Sequence, residues 1–221
     1  MKRLRVKRLL LRRGRAKNPR KEDGLKAVFG LGNPGIEYAL TRHNVGFSVI
    51  DLYRKAHCHG EKGRITCSSL VYQSENLLLI KPMTYMNASG EAVSAIIDRF
   101  KIALPDMLII YDDLDLPLGR MKILPKGGAG THKGMLSILE VLGTEAIPRL
   151  RIGIGMESRS QDTIDYVLGR FMPREWEELT PILERSVDAI EAFRTQDIDT
   201  VMTRFNRRGP AVVNDGGNTI L

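Results

Sequence analysis

Val28–Phe47, VFGLGNPGIEYALTRHNVGF, offers two chemistries. Gly30, Gly32 and Gly35 satisfy the dinucleotide pattern G-x-G-x-x-G, in which backbone amides at a helix start receive a pyrophosphate. His43 and Asn44 follow within ten residues and offer proton transfer and amide hydrogen bonding instead. The dinucleotide reading needs a helix opening at the third glycine and an acid about twenty residues on, after a second strand. Here Pro34 precedes Gly35, the better helical pattern starts near Asn44, and Asp51, the only acid at the right offset, lies inside it. The glycines are therefore expected to bring a sharp backbone turn close to a ligand without cradling NAD.

Other polar residues stand at comparable places. Asn33 sits on the glycine turn, Asn87 opens a helix after KPMTY, Asp112 follows the apolar run Met107–Tyr111, and His132 lies in the loop Pro125–Gly134. Each has an ordinary structural use, in a turn or as a helix cap. Together they form a constellation, because ligands of open α/β sheets gather at the carboxyl ends of strands.

The elements that must position them follow from pattern. Leu25–Leu31, Ser69–Gln73, Asn76–Pro82, Asp106–Tyr111, Gly119–Leu124 and Arg149–Gly155 read as strands. Helical spacing runs from Asn44 through Phe47, Ile50 and Tyr53, over Met86–Ile102, over Met135–Gly143, and through the last third around TIDYVLG and Pro173–Phe193. Pro181 predicts a kink or restart within that last helix. Strands alternating with helices predict an α/β fold, a single-domain sandwich with a central mixed, largely parallel sheet flanked by helices.

A chain of 221 residues suits one folded domain, and no apolar run approaches the roughly 18 residues of a membrane span. Two cysteines are too few for a disulfide framework, which points to a reducing cytoplasmic setting. His57, Cys58, His59 and Cys67 match no usual zinc spacing and read as a solvated loop. The net charge of +8 is a property of residues 1–23, which hold eleven Lys/Arg against two acids. The remaining 23 basic and 24 acidic residues nearly cancel. We expect residues 1–24 to be a basic extension, 25–205 the domain, and 206–221 a flexible tail. The extension reads as a disordered arm, with phosphate binding as a second use and a transit peptide disfavoured by its lack of serine.

GLGNPGIEYALTRHNVGF, KPMTYMNASG, DDLDLPLG, GGAGTHKG, RLRIGIG and YVLGRF occur in that order between Lys26 and Arg204. Together they resemble the bacterial-type peptidyl-tRNA hydrolase family. The resemblance implies hydrolysis of the ester between a peptide and the 3′-terminal ribose of tRNA, without metal or organic cofactor. It implies His43 as the catalytic base and Asp112 as its partner. Asn33 and Asn87 correspond to substrate-binding positions, Tyr38 to one near the tRNA terminus, and His132 to a binding and loop-ordering residue. Such a base is typically worth about 10² to 10⁴ in rate, and the carboxylate would hold the imidazole in one tautomer and stabilise the imidazolium. An Asn87 amide or a backbone N–H would serve the developing oxyanion. The implied partner is peptidyl-tRNA, contacted at its acceptor end and peptide. No membrane or obligate protein partner is implied, and a monomer is expected.

The chain departs from the family in its glycine loop, where Thr131 replaces a glycine and Lys133 an asparagine. The loop is thereby weakened, or Lys133 offers a cation to a tRNA phosphate; the second is the expectation. Lys122, Lys126, Lys133, Arg149 and Arg151 are candidates for a tRNA-facing cluster. The alternative function is a catalytically weakened RNA-binding relative on the same fold.

Overall fold

The computed structural model describes residues 24–58, 60–155 and 163–207. Seven strands form one sheet: β1 (Lys26–Gly30), β2 (Arg64–Thr66), β3 (Ser69–Ser74), β4 (Leu77–Pro82), β5 (Met107–Asp113), β6 (Met121–Leu124) and β7 (Arg149–Gly153), in the order β2-β3-β4-β1-β5-β7-β6. The four central strands run parallel, and β2, β3 and β6 join antiparallel at the two margins. The sheet is thus mixed, as predicted. All four central strands direct their carboxyl ends to one edge.

Side chains alternate across the central strands, which splits the core in two. On one face Val28, Leu79, Leu108, Ile110 and Leu150 pack with α1 (Val45–His57), α5 (Pro173–Thr195) and α6 (Ile198–Phe205). On the other, Phe29, Leu78, Ile80, Ile109 and Tyr111 pack with α2 (Ser89–Phe100) and α3 (Lys133–Leu142). A short helix, α4 (Thr163–Leu168), precedes α5.

Two expectations change. β2 has no counterpart in the sequence reading: it is three residues long and carries an exposed Ile65 at the sheet margin, so it lacks the apolar alternation of a buried strand. Pro181 does not restart α5, which runs as one helix from Pro173 to Thr195. Pro181 is exposed, so the carbonyl it leaves unpaired one turn earlier can be hydrated. The turn glycines serve packing: a Cβ on Gly30 would lie 2.3 Å from the Gly46 carbonyl oxygen, and one on Gly46 2.5 Å from the Leu31 amide nitrogen. At these two glycines the close approach is between β1 and the start of α1.

At the other margin, Asn206 accepts from the Ile123 amide at 2.8 Å and donates to the Ile123 carbonyl at 2.8 Å. The basic extension, apart from Gly24, and the chain after Arg207 lie outside the described residues, as does His59.

Candidate active site

A cavity of about 510 Å³ opens at the carboxyl edge of the parallel strands. Asn33, His43, Asn87, Asp112, His132 and Lys133 all line it. Tyr38 does not; it stands half-buried in a short 3₁₀ turn, Ile36–Tyr38, outside the lining.

His43 lies in the 3₁₀ turn Arg42–Asn44, and Asp112 is the penultimate residue of β5. His43 Nδ1 contacts the two Asp112 carboxylate oxygens at 2.9 and 3.0 Å. With Nδ1 donating there, Nε2 has no protein partner among the described residues. His132 Nε2 meets the same Asp112 Oδ1 at 3.0 Å, while its Nδ1 accepts from the Met135 amide at 3.1 Å. That backbone bond fixes the tautomer of His132 with its proton on Nε2. One buried carboxylate therefore accepts from two imidazoles. Burial pushes the Asp112 pKa up, and the adjacent histidines more than offset this, holding the carboxyl well below its ordinary range. Beside them Tyr111 packs on His132 with ring centres 4.7 Å apart, and burial raises the pKa of its hydroxyl.

His43, Asp112 and His132 also match a metal site in residue type, with ligand atoms within 4.8 Å of one another. Their hydrogen bonds argue otherwise. A metal on His132 Nε2 would displace the proton that the Met135 contact places there, leaving a ring with no N–H. The set is built to share protons. The His57, Cys58 and Cys67 group forms no metal cluster among the described residues; His57 instead stacks on Tyr53.

Asn33 accepts from the Met86 amide through Oδ1 at 2.8 Å, so its carbonyl end ties the β1 turn to the turn carrying Asn87. Its Nδ2 and the exposed side chain of Asn87 have no partners among the described residues. Asn44 stands at the N-cap position of α1, but its side chain makes no capping bond. Its amide accepts from the Asn33 amide at 2.8 Å and donates to the Asn33 carbonyl at 2.9 Å, bonding that residue as a neighbouring strand would. Leucine at position 44 would strand both backbone groups, and we expect a loss of about 2 kcal/mol or more in stability. Thermal unfolding measures it; an unchanged midpoint would show that the turn is held elsewhere.

Sequence reasoning missed the apolar part of the lining, which Tyr85, Ile164, Val167 and Leu168 contribute. The Tyr85 and YVLGRF motifs contained part of it, but no periodicity tied so short a helix to a cavity. Thr131 is not among the residues with positive φ, so it replaces glycine without backbone strain. Lys133 is exposed at the first position of α3 and has no ion-pair partner among the described residues. Arg151 contacts Asp113 and also lines the cavity, with Lys122 beside it in the β6–β7 register. Arg149 leaves the tRNA-facing set: it is 1% exposed, and its guanidinium binds the carbonyls of Ile147, Gly128 and Glu145. It braces the base of the glycine loop.

Fold and site together define an α/β enzyme centred on a histidine–carboxylate pair at a sheet's carboxyl edge. Residues 27–212 match the model of the family described as Peptidyl-tRNA hydrolase. The chain is 43% identical over 209 residues to a peptidyl-tRNA hydrolase of Synechococcus sp. (strain JA-2-3B'a(2-13)), covering 89% of this chain and 91% of that one. It is 43% identical to the Bacillus pumilus (strain SAFR-032) enzyme of the same name, covering 82% and 98%. The crystal structure of peptidyl-tRNA hydrolase from Acinetobacter baumannii superposes with a TM-score of 0.77 at 30% identity, covering 85% of this chain and 97% of that chain. The chain belongs to the peptidyl-tRNA hydrolase family.

Proposed function

We propose that this protein hydrolyses the ester joining a peptide to the 3′-terminal ribose of tRNA, with His43 as the base that activates water. The observation carrying this reading is the His43–Asp112 pair, whose geometry leaves Nε2 without a partner, in a cavity lined by no serine or cysteine, among the described residues. Water would give a proton to Nε2 as its oxygen bonds the ester carbonyl carbon. Asp112 would stabilise the imidazolium so formed. The Asn87 amide would donate to the oxyanion. Collapse of the tetrahedral intermediate breaks the bond to the ribose oxygen, which recovers the proton from His43. Free tRNA and a peptide carboxylate leave.

Asn33 would offer Nδ2 to peptide backbone, which suits a site that must accept any peptide sequence. His132 would order the glycine loop against Asp112. Tyr38 would meet the tRNA terminus outside the cavity. Lys133 would face a phosphate of the acceptor end, with Lys122, Lys126 and Arg151 extending the cationic edge. No helix among the described residues is long and apolar enough to cross a membrane, and our reading is of a cytoplasmic monomer acting in translation.

Turnover of an N-blocked aminoacyl-tRNA tests the proposal; binding without cleavage would favour an RNA-binding role instead. Lys133→Asn assayed across a salt series tests the phosphate contact. Removing one phosphate contact should lower the slope of log(kcat/KM) against log[salt] by roughly 0.7 to 0.9. Equal slopes would sink the contact.

A further inference from the structure

We propose that Arg42 is a positioning residue that fixes the His43 imidazole and the apolar wall of α4 in one frame, through an ion pair with Glu175. The proposal rests on the reading of His43 as base. Arg42 is 8% exposed, unusual for a guanidinium, and immediately precedes His43 in the same 3₁₀ turn. Its Nη2 donates to both Glu175 carboxylate oxygens, at 2.9 and 2.8 Å. The guanidinium carbon lies 4.3 Å from the centre of the Tyr166 ring in α4 and 5.4 Å from that of Phe171. Nη1 donates to the Tyr166 carbonyl at 3.3 Å, and the Arg42 amide donates to the Gly169 carbonyl at 3.0 Å. Thr41 pairs with Arg170 as an isolated antiparallel bridge.

Every one of these contacts joins the turn bearing the base to the segment from Tyr166 to Glu175. That segment takes in the end of α4, whose Val167 and Leu168 line the cavity, as does Ile164 one turn earlier. Glu175 is itself fixed, because it also accepts from the Met172 amide at 2.6 Å and so closes the first turn of α5. Arg42 thus sets the separation between the group that takes the proton and the wall that contacts substrate. With Nη2 on both carboxylate oxygens and Nη1 on the Tyr166 carbonyl, the guanidinium plane is held in a way that an ammonium at the same place is not. Misplacement of a reacting group by about 1 Å can cost on the order of a hundredfold in rate.

The test uses the full chain with Arg42→Met, Arg42→Lys, Glu175→Gln and the Met/Gln double variant, each checked for folding by circular dichroism. We expect kcat to fall about tenfold or more in Arg42→Met. Arg42→Lys should recover only part of it. The double variant should be no slower than the worse single one, since both remove the same restraint. The His43 Nδ1–H proton, shielded in its bond to Asp112, supplies a readout that lost stability alone does not move: its NMR signal should broaden or shift in Arg42→Met. Folded variants with kcat within twofold of the parent would overturn the proposal. So would a fall in kcat with the His43 proton signal unchanged. Should Arg42→Met fail to fold, Glu175→Gln keeps the question open to measurement, because glutamine retains one oxygen for the Met172 amide while it removes the charge and one of the two acceptors facing Arg42. Activity of His43→Ala tests the base itself, so failure of that reading is seen separately from failure of the clamp.

Discussion

His43→Ala should slow cleavage of an N-blocked aminoacyl-tRNA by about 10²- to 10⁴-fold, almost entirely in kcat. Truncation removes Nε2, the one imidazole nitrogen at the site with no partner among the described residues, and leaves the remaining polar groups of the cavity in place. Asn33 keeps its bond to the Met86 amide, and His132 keeps Asp112 and Met135. KM should therefore change little, and tRNA binding should survive. Steady-state kinetics on the purified variant decides it; near-parental kcat would show that the proton is taken elsewhere.

Asp112→Asn should be nearly as damaging, with kcat down by about 10³ to 10⁴, for a reason that runs through His132. The Met135 amide keeps the His132 proton on Nε2, so that nitrogen must have an oxygen facing it. An asparagine has only one oxygen to give. Its NH₂ is then turned toward His43 Nδ1 and demands a lone pair there. The His43 proton moves to Nε2, and the base loses the electron pair it needs. The same substitution changes how stability depends on acid. In the native state Asp112 is held below its ordinary carboxylate range, so it contributes stability that is full above the unfolded value of about 3.9. That contribution is lost as pH falls through the lower native value. Below pH 4, unfolding free energy should fall less steeply in Asp112→Asn than in the parent. Parallel acid-unfolding curves, or kcat within tenfold of the parent, would count against this account.

Much of this was legible in residue order. The central strands are short apolar runs closed by glycine or by polar residues, and the spacing between them requires helical crossovers. Asn33, Asn87, Asp112 and His132 could be picked out from their places after those runs, whereas Tyr38 and Lys133 came only from the family resemblance. What stayed hidden has a common cause in distance along the chain. The partner that buries Arg42 is 133 residues away, so nothing in TRHN itself shows that its arginine is buried in an ion pair. Arg149 likewise looked like a surface cation, because nothing local reveals that three carbonyls surround it. Asn44 belongs to the same class: its type suggests a cap, whereas its place beside Asn33 makes it a substitute for a missing strand. The glycine pattern erred in the opposite direction, since small residues between β1 and α1 look alike whether they admit a phosphate or a helix.

Asn206 has a consequence for how the molecule behaves in company. The outward N–H and carbonyl of Ile123, at the middle of the β6 margin, are both taken by one amide side chain. A sheet border left open is a template on which another chain can add a strand, and repeated addition leads to aggregation. Here the last turn of the described chain folds back and occupies the central rung of that ladder. That side chain thus keeps the centre of this border from pairing with another chain.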